Sequence, residues 1–374
     1  MSIYFDRENC FVEKFNADTG FYIRSGVIEN GTDTGLDPFM RDFPQMIDIG
    51  VMGRCSSGLD GLCQKAGIQC YQQGDRVIRD NMSVRDFASI AGQCKGKVFQ
   101  FALGGRGDVD QHEHLEQILA CSREFGIVPN FTTSGRQITE EIAAICKKYV
   151  GAVAVSWYRS GCTLDAIQIL LHAGIKTNIH YVLGNNTIDE AIGRLQDRSF
   201  PVGVNAVIFL LHKPVGLGEE GNVLRYYDQK VKTFFDLVDR LVQPYKIGFD
   251  SCSAPGLVTM AKNIDYISTD YCEGARFSCY IDAQMRMTPC SFAQDDHWAV
   301  DLRTVSIADA WKKEPFVTFR TFLRNACPAC ADRSFCGGGC PVVNQVTLCN
   351  RKEKQTKSNE TEEYDNENQI GLCD

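Results

Sequence analysis

No stretch of about 18 apolar residues occurs in the 374-residue chain, so no segment reads as a membrane-spanning helix. The opening residues, MSIYFDRENC, place Asp6, Arg7 and Glu8 where a secretion signal needs an apolar run. Basic charge is in deficit as well. Thirty-nine Lys and Arg against 47 Asp and Glu leave a formal charge of −8, without the basic footprint that nucleic acid requires. The glycine-rich turn Gly104-Gly105-Arg106-Gly107-Asp108 fits no G-x-G-x-x-G register and has no Lys-Ser/Thr, which excludes a dinucleotide fingerprint and a phosphate loop there. These absences predict a cytoplasmic protein with neither a membrane nor a nucleic-acid partner. With 44% hydrophobic and 23% charged residues, the chain can bury one large core and a smaller one.

One residue type is in excess. Eighteen cysteines are too few for a disulfide scaffold of this length, and a chain this long does not need such staples. In a reducing compartment clustered thiols read as metal ligands or reactive groups.

Residues 1–45 read as a hairpin region, with strands over 10–15 and 21–29 around a turn at 16–20. From 46 to 250, short apolar runs at 47–51, 98–103, 128–132, 152–157, 177–183 and 205–211 alternate with amphipathic segments at 112–125, 139–149, 164–173 and 188–196. A further helix is expected over 231–242. This alternation predicts an α/β fold with a parallel sheet, and six strands suggest a partial (β/α)6 TIM-like barrel. Residues 251–349 are cysteine-rich and turn-rich, as in a small domain organised by bound metal rather than by an apolar core. Residues 350–374 are polar and read as a flexible tail.

The densest thiol pattern is C-x2-C-x5-C-x3-C at Cys327, Cys330, Cys336 and Cys340, followed by Cys349. Glycines 337–339 let backbone approach a bulky inorganic centre; structural zinc also favours C-x2-C pairs. With Cys272, Cys279 and Cys290 upstream, eight thiols suffice for two four-cysteine centres. A third group, Cys55, Cys63 and Cys70, lies on the loop after the first barrel strand and is followed by Tyr71. Three thiolates can hold a four-iron cluster and leave one iron open, at the face where parallel barrels build active sites. The Gly104-Gly105 turn falls on the same face. Ser134, Ser156, Asn178 and His180 are polar positions on or after apolar strands and would line a barrel interior. His212-Lys213-Pro214 follows the sixth strand, at the end suited to substrate contact. Cys252 lies between barrel and cysteine-rich segment, where it is a proton or hydrogen-atom donor, an extra ligand, or inert. Cys10, Cys94, Cys121, Cys146, Cys162 and Cys373 have no motif around them.

Over 46–349 these features resemble radical SAM enzymes with a C-terminal SPASM domain. The resemblance implies that Cys55, Cys63 and Cys70 hold a [4Fe-4S] cluster whose open iron chelates S-adenosylmethionine, and that reductive cleavage then yields a 5′-deoxyadenosyl radical. It matches Gly104-Gly105-Arg106 to the Gly-Gly-Glu turn that receives the methionine amino group, with Asp108 supplying the missing carboxylate. Tyr71 would pack on adenine, and Ser134, Ser156, Asn178 and His180 would contact ribose and carboxylate. Two auxiliary [4Fe-4S] clusters are implied, one on Cys272, Cys279, Cys290 and Cys340, the other on Cys327, Cys330, Cys336 and Cys349. Three departures stand out: C-x7-C-x6-C replaces the family's C-x3-C-x2-C, with Gln69 where an aromatic residue precedes the third cysteine; Met285 replaces a SPASM glycine; Arg106 replaces the acid. The resemblance implies oxygen-sensitive modification of a ribosomally made precursor peptide, with a thioether cross-link favoured and sulfatase-maturing (formylglycine-generating) oxidation as the alternative. A zinc-stabilised interaction protein is the contrasting reading. An electron donor such as flavodoxin or ferredoxin is implied. Because only 45 residues precede the barrel, leader recognition is expected to use another surface or a separate protein.

Overall fold

A computed structural model describes residues 1–264 and 269–350, so the tail expected at 350–374 lies, from 351 onward, outside the described residues. Strands β1 (Ser2–Asp6), β2 (Phe11–Phe15) and β3 (Tyr22–Arg24) form an antiparallel N-terminal sheet, followed by the short pair β4 (Ile28–Glu29) and β5 (Thr32–Asp33). Seven parallel strands come next: β6 (Met46–Met52), β7 (Gln100–Gly105), β8 (Val128–Thr133), β9 (Val153–Ser156), β10 (Thr177–Leu183), β11 (Ala206–Leu211) and β12 (Lys246–Phe249). They neighbour one another in sequence order, as right-handed strand-helix-strand units dictate. Between β6 and β7 run the one-turn helices α1 (Ser56–Leu59) and α2 (Leu62–Lys65) and then α3 (Val84–Cys94). The later crossovers are α4 (Leu115–Glu124), α5 (Glu140–Tyr149), α6 (Gly161–His172), α7 (Ile188–Asp197) and α8 (Gln229–Arg240). Side-chain caps start several of them: Ser83, Thr139, Ser160 and Asp228 each accept a backbone N–H of the first turn. Ser160 explains why α6 begins three residues before the expected 164.

All six expected strands are present, and the architecture is a partial TIM-like barrel. The seventh strand, β12, escapes a search for apolar runs because Lys-Ile-Gly-Phe is short, contains glycine and is only partly buried. At the other edge, β13 (Ser278–Ile281) lies parallel to β6, and β14 (Arg286–Thr288) and β15 (Val300–Asp301) continue antiparallel. The cysteine-rich segment thus extends the barrel sheet instead of hanging from a linker.

Burial alternates along the strands with period two. On β10, Thr177, Ile179, Tyr181 and Leu183 are buried against the helices, while Asn178, His180 and Val182 are half-buried toward the lumen. The helix side closes around Phe209, whose ring lies 4.9 Å from Phe234 and 5.5 Å from Tyr181. Each such ring contributes about 1.5–3 kcal/mol by leaving water. Among the described residues no helix is long and apolar enough to cross a membrane.

Candidate functional site

Where β6 ends, Cys55 becomes the N-cap of α1, and its Sγ accepts the Gly58 amide at 3.0 Å. Cys63 is buried in α2, and Cys70 follows on the same loop. The longer C-x7-C-x6-C spacing is taken up by the two one-turn helices. The three sulfurs are electrostatic neighbours: burial, then Asp108, Cys70 and Cys63, lifts the Cys55 thiol to about 11, and burial with Cys70 raises Cys63. Gly74 keeps the space beside them open. A Cβ there would stand 2.8 Å from the Cβ of Cys55, 3.4 Å from its Sγ and 3.8 Å from the Sγ of Cys70. Three converging thiols, an amide donor to sulfur and a cradle that a side chain would fill together fit a cluster held by thiolate.

The Gly-Gly turn closes the adjoining wall. A Cβ at Gly104 would meet nothing within 4 Å, so this position opens onto the lumen, whereas Gly105 has φ +112° and would press a Cβ to 2.6 Å from the Met52 carbonyl. Arg106 donates its amide to the Met52 carbonyl and its Nε to the Gln72 carbonyl, each at 2.9 Å. Asp108 is fully engaged. It accepts from Ser134 N at 2.7 Å, Ser134 Oγ at 2.6 Å, Ser57 Oγ at 3.0 Å and Gln111 at 3.1 Å. It therefore clamps the cysteine loop to the ends of β7 and β8, rather than presenting a free carboxylate.

The remaining expected residues separate by depth. Ser156 is at the mouth, where it hydrogen-bonds Tyr158; that phenol neighbours Cys63, Asp108 and Cys70. His180 pairs in register with Ser156 on the neighbouring strand, with Nδ1 3.3 Å from Thr132 Oγ1, and burial lowers its pKa to about 4, so it is neutral near pH 7. Asn178 is near the start of β10, at the opposite end of the barrel, where its Oδ1 accepts from Asn205 at 2.7 Å; the structure thus removes it from the mouth. Tyr71 also departs from expectation: its ring packs on Phe292 at 4.4 Å and is committed to the junction with the cysteine-rich domain. Two residues were missed. Tyr158 directly follows the Val-Ser-Trp run of β9 and was open to notice. Tyr280 pairs in register with Asp48 only because β13 joins β6, a non-local pairing without a sequence signal.

The first auxiliary group requires a correction. Cys252 hydrogen-bonds Cys340, Cys272 neighbours Cys252 and Cys290, and Cys340 neighbours Cys290 and Cys272. Burial raises Cys272 far above the usual thiol value and lifts Cys290 to about 11; the bond from Cys252 instead lowers Cys340. The amides of Phe292 and Val343 donate to Cys290 and Cys340 Sγ at 3.3 Å. Cys279 is absent from this group. It pairs with Ile47 in the sheet, is 2% exposed and has Cys94 and Asp48 as its charged neighbours. Strand alternation turns it toward the helices, so Cys252 completes the four-thiol set. Lys213 lies alongside, its side chain 1% exposed, 2.8 Å from Asp250 and 4.3 Å from the Phe292 ring centre.

In the second group Cys330, Cys349 and Cys327 are the charged neighbours of Cys336, which also receives the Gly338 amide. Gly337, Gly338 and Gly339 all adopt positive φ, the backbone freedom their type suggested. Cys94, Cys121 and Cys146 are buried in the core, Cys162 bonds Ser160 at 3.0 Å, and Cys10 is exposed; Cys373 lies outside the described residues. Among the described residues no group of three or more His, Cys, Asp or Glu is arranged to hold a single metal ion. A cavity of about 490 Å³ separates the barrel mouth from the cysteine-rich domain, with Gln72, Arg106, Gly216, Tyr280, Phe292 and Val343 on its walls.

A partial barrel extended by a cysteine-rich segment is the fold this chain shares with solved structures that hold S-adenosylmethionine. The chain matches SuiB of Streptococcus suis, crystallised with S-adenosylmethionine, at a TM-score of 0.62 and 15% identity over 84% of this chain and 78% of that one. It matches anSMEcpe with bound AdoMet at a TM-score of 0.60 and 14% identity, over 84% and 95% of the two chains. The same protein with AdoMet and the Cp18Cys peptide matches at a TM-score of 0.60 and 14% identity, over 83% and 95%. No protein-family profile and no curated protein matches the chain.

Proposed function

We propose that this chain is a radical SAM peptide maturase carrying three [4Fe-4S] clusters. The carrying observation is the convergence of Cys55, Cys63 and Cys70 around the space that Gly74 leaves open, at the strand end beside the Gly-Gly turn. Cys252, Cys272, Cys290 and Cys340 would hold one auxiliary cluster, and Cys327, Cys330, Cys336 and Cys349 the other. When bound, S-adenosylmethionine on the open-site cluster supplies a 5′-deoxyadenosyl radical that takes a hydrogen atom from the substrate.

The chain's own residues confine that chemistry. Asp108 ties the cysteine loop to the barrel rim, and Ser156 with Tyr158 lines the wall beside the thiols. Neutral His180, in register with Ser156 and 3.3 Å from Thr132, continues that wall. Lys213 places a buried positive charge by the first auxiliary group, which favours its reduced form and suits it to accept an electron from the substrate. SuiB and anSMEcpe share the fold, and anSMEcpe has been crystallised with peptides, which supports a peptide substrate. A thioether cross-link is favoured over formylglycine-type oxidation. A flavodoxin or ferredoxin would deliver electrons, and another surface of the chain or a separate protein would read a leader.

Anaerobic reconstitution tests the reading. The expected result is about 12 irons per chain and reductant-dependent release of 5′-deoxyadenosine, with the Cys55, Cys63 and Cys70 triple alanine variant losing release and keeping about 8 irons. Tight zinc without iron uptake, or release that survives in the triple variant, overturns it.

A further inference from the structure

The third residue of the Gly-Gly turn is a cation in this chain, and the surroundings of its guanidinium show what it serves. Arg106 is half-buried and spends its Nε on the Gln72 carbonyl; its two terminal nitrogens have no hydrogen-bond partner among the described residues. Nor does it form an ion pair among them. Two of the other charges on the cavity wall, Asp282 and Arg286, are already matched. Asp282 accepts the Gln284 and Arg286 amides at 2.9 Å through one oxygen and Arg286 Nε at 2.9 Å through the other, while Arg286 reaches Asp296 at 2.8 Å. Asp295 is exposed at the rim. Arg106 is thus the uncommitted cation of a 490 Å³ cavity whose neutral wall groups are amides, hydroxyls and apolar side chains, among them Gln72, Ser291, Thr288, Phe292 and Val343. A half-buried guanidinium with two free donors is shaped for a carboxylate, held through two parallel bonds.

We infer that Arg106 binds the carboxylate of an acidic residue in the peptide substrate, so that the enzyme selects peptides with Asp or Glu near the modified position. The cavity's location favours a peptide over the methionyl carboxylate of S-adenosylmethionine. Its walls come from the loop after Cys70, the loop after β11 and the cysteine-rich domain, outside the lumen lined by Ser156 and His180. A cation here also repels the ammonium that an acid at this turn would attract. The inference rests on the proposed function for what the carboxylate belongs to, but its measurement needs no turnover.

The test compares N-acetyl-glutamate methylamide with N-acetyl-glutamine methylamide as probes of the reconstituted full chain, by saturation-transfer NMR. The glutamate probe is expected to bind about ten-fold more tightly. R106Q should abolish that preference with less than about a two-fold change in S-adenosylmethionine affinity, and R106K should retain part of it. Equal binding of the two probes to the wild-type chain overturns the inference, even if R106Q fails to fold. Loss of preference accompanied by about ten-fold weaker S-adenosylmethionine binding also overturns it, because the carboxylate held would then be the cofactor's. An intact preference without any deoxyadenosine release supports the carboxylate site while overturning the proposed function.

Discussion

Replacing Cys252 and Cys279 separately by alanine distinguishes two ligand sets for the first auxiliary cluster. The spacing of cysteines along the chain favours Cys279; the folded geometry brings Cys252 to Cys340, Cys272 and Cys290 and seals Cys279 at 2% exposure behind Ile47. A fully loaded chain holds about 12 irons, four to each cluster. C252A removes one of four thiolates and leaves Cys340 without its hydrogen-bonding partner, so iron is expected to fall toward about 8 per chain. Deoxyadenosine release should persist, because Cys55, Cys63 and Cys70 are untouched. C279A should keep about 12 irons. Its cost is a small void in the sheet's helix-facing core, about 1–2 kcal/mol, read as a slightly lower unfolding midpoint. Iron analysis with absorbance near the cluster bands, run beside a thermal scan of each variant, reads both effects. If C279A loses about four irons while C252A keeps its full complement, the geometric assignment is wrong.

Gly74→Ala should abolish deoxyadenosine release and remove about four irons, since its Cβ would press on Cys55 at 2.8 Å, whereas Gly193→Ala, which meets nothing within 4 Å, should leave both unchanged. K213M strands the Asp250 carboxylate and should cost about 3–5 kcal/mol in urea unfolding; the K213M/D250L pair should recover much of it. Between pH 4 and 6.5 two lumen groups oppose each other. His180, lowered to about 4, takes up its proton only on unfolding, so its contribution raises stability with rising pH; Asp48, lifted by burial to about 7, keeps its proton when folded, so its contribution falls. Each amounts to on the order of 3 kcal/mol at most, so urea midpoints of H180N should decline with rising pH and those of D48N should climb. Flat profiles for both variants would show that neither group titrates as its burial implies.

Much of the barrel was legible because each of its six expected strands carries its own apolar run, and a strand buried on its helix side advertises itself locally. Strands β12 and β13 were not, because Lys-Ile-Gly-Phe and Ser-Cys-Tyr-Ile become strands only by pairing with residues far away in the chain. The same non-locality hid Tyr280 from the cavity and Cys252 from its partners. Where a motif's spacing was kept, as from Cys327 to Cys336, neighbours in sequence are neighbours in space. Cys279 failed for the opposite reason: it lies near Cys272 and Cys290 in sequence, but strand alternation turns its side chain to the other face.

Met285 shows why a departure from a pattern need not be a departure from the fold. It ends the turn between β13 and β14 with φ +64°, the left-handed conformation for which the SPASM pattern carries glycine. For methionine this costs about 1–2 kcal/mol. The side chain is 3% exposed and packs into the main core, which contributes a similar amount or more. M285G should therefore relieve the backbone yet leave a void in place of the side chain, a net loss of about 1–2 kcal/mol in urea unfolding. M285A keeps the strained backbone and loses the packing as well, so it should be the less stable of the two. If M285G proves more stable than the wild-type chain, the buried thioether does not offset the strain, and the turn geometry alone governs this position.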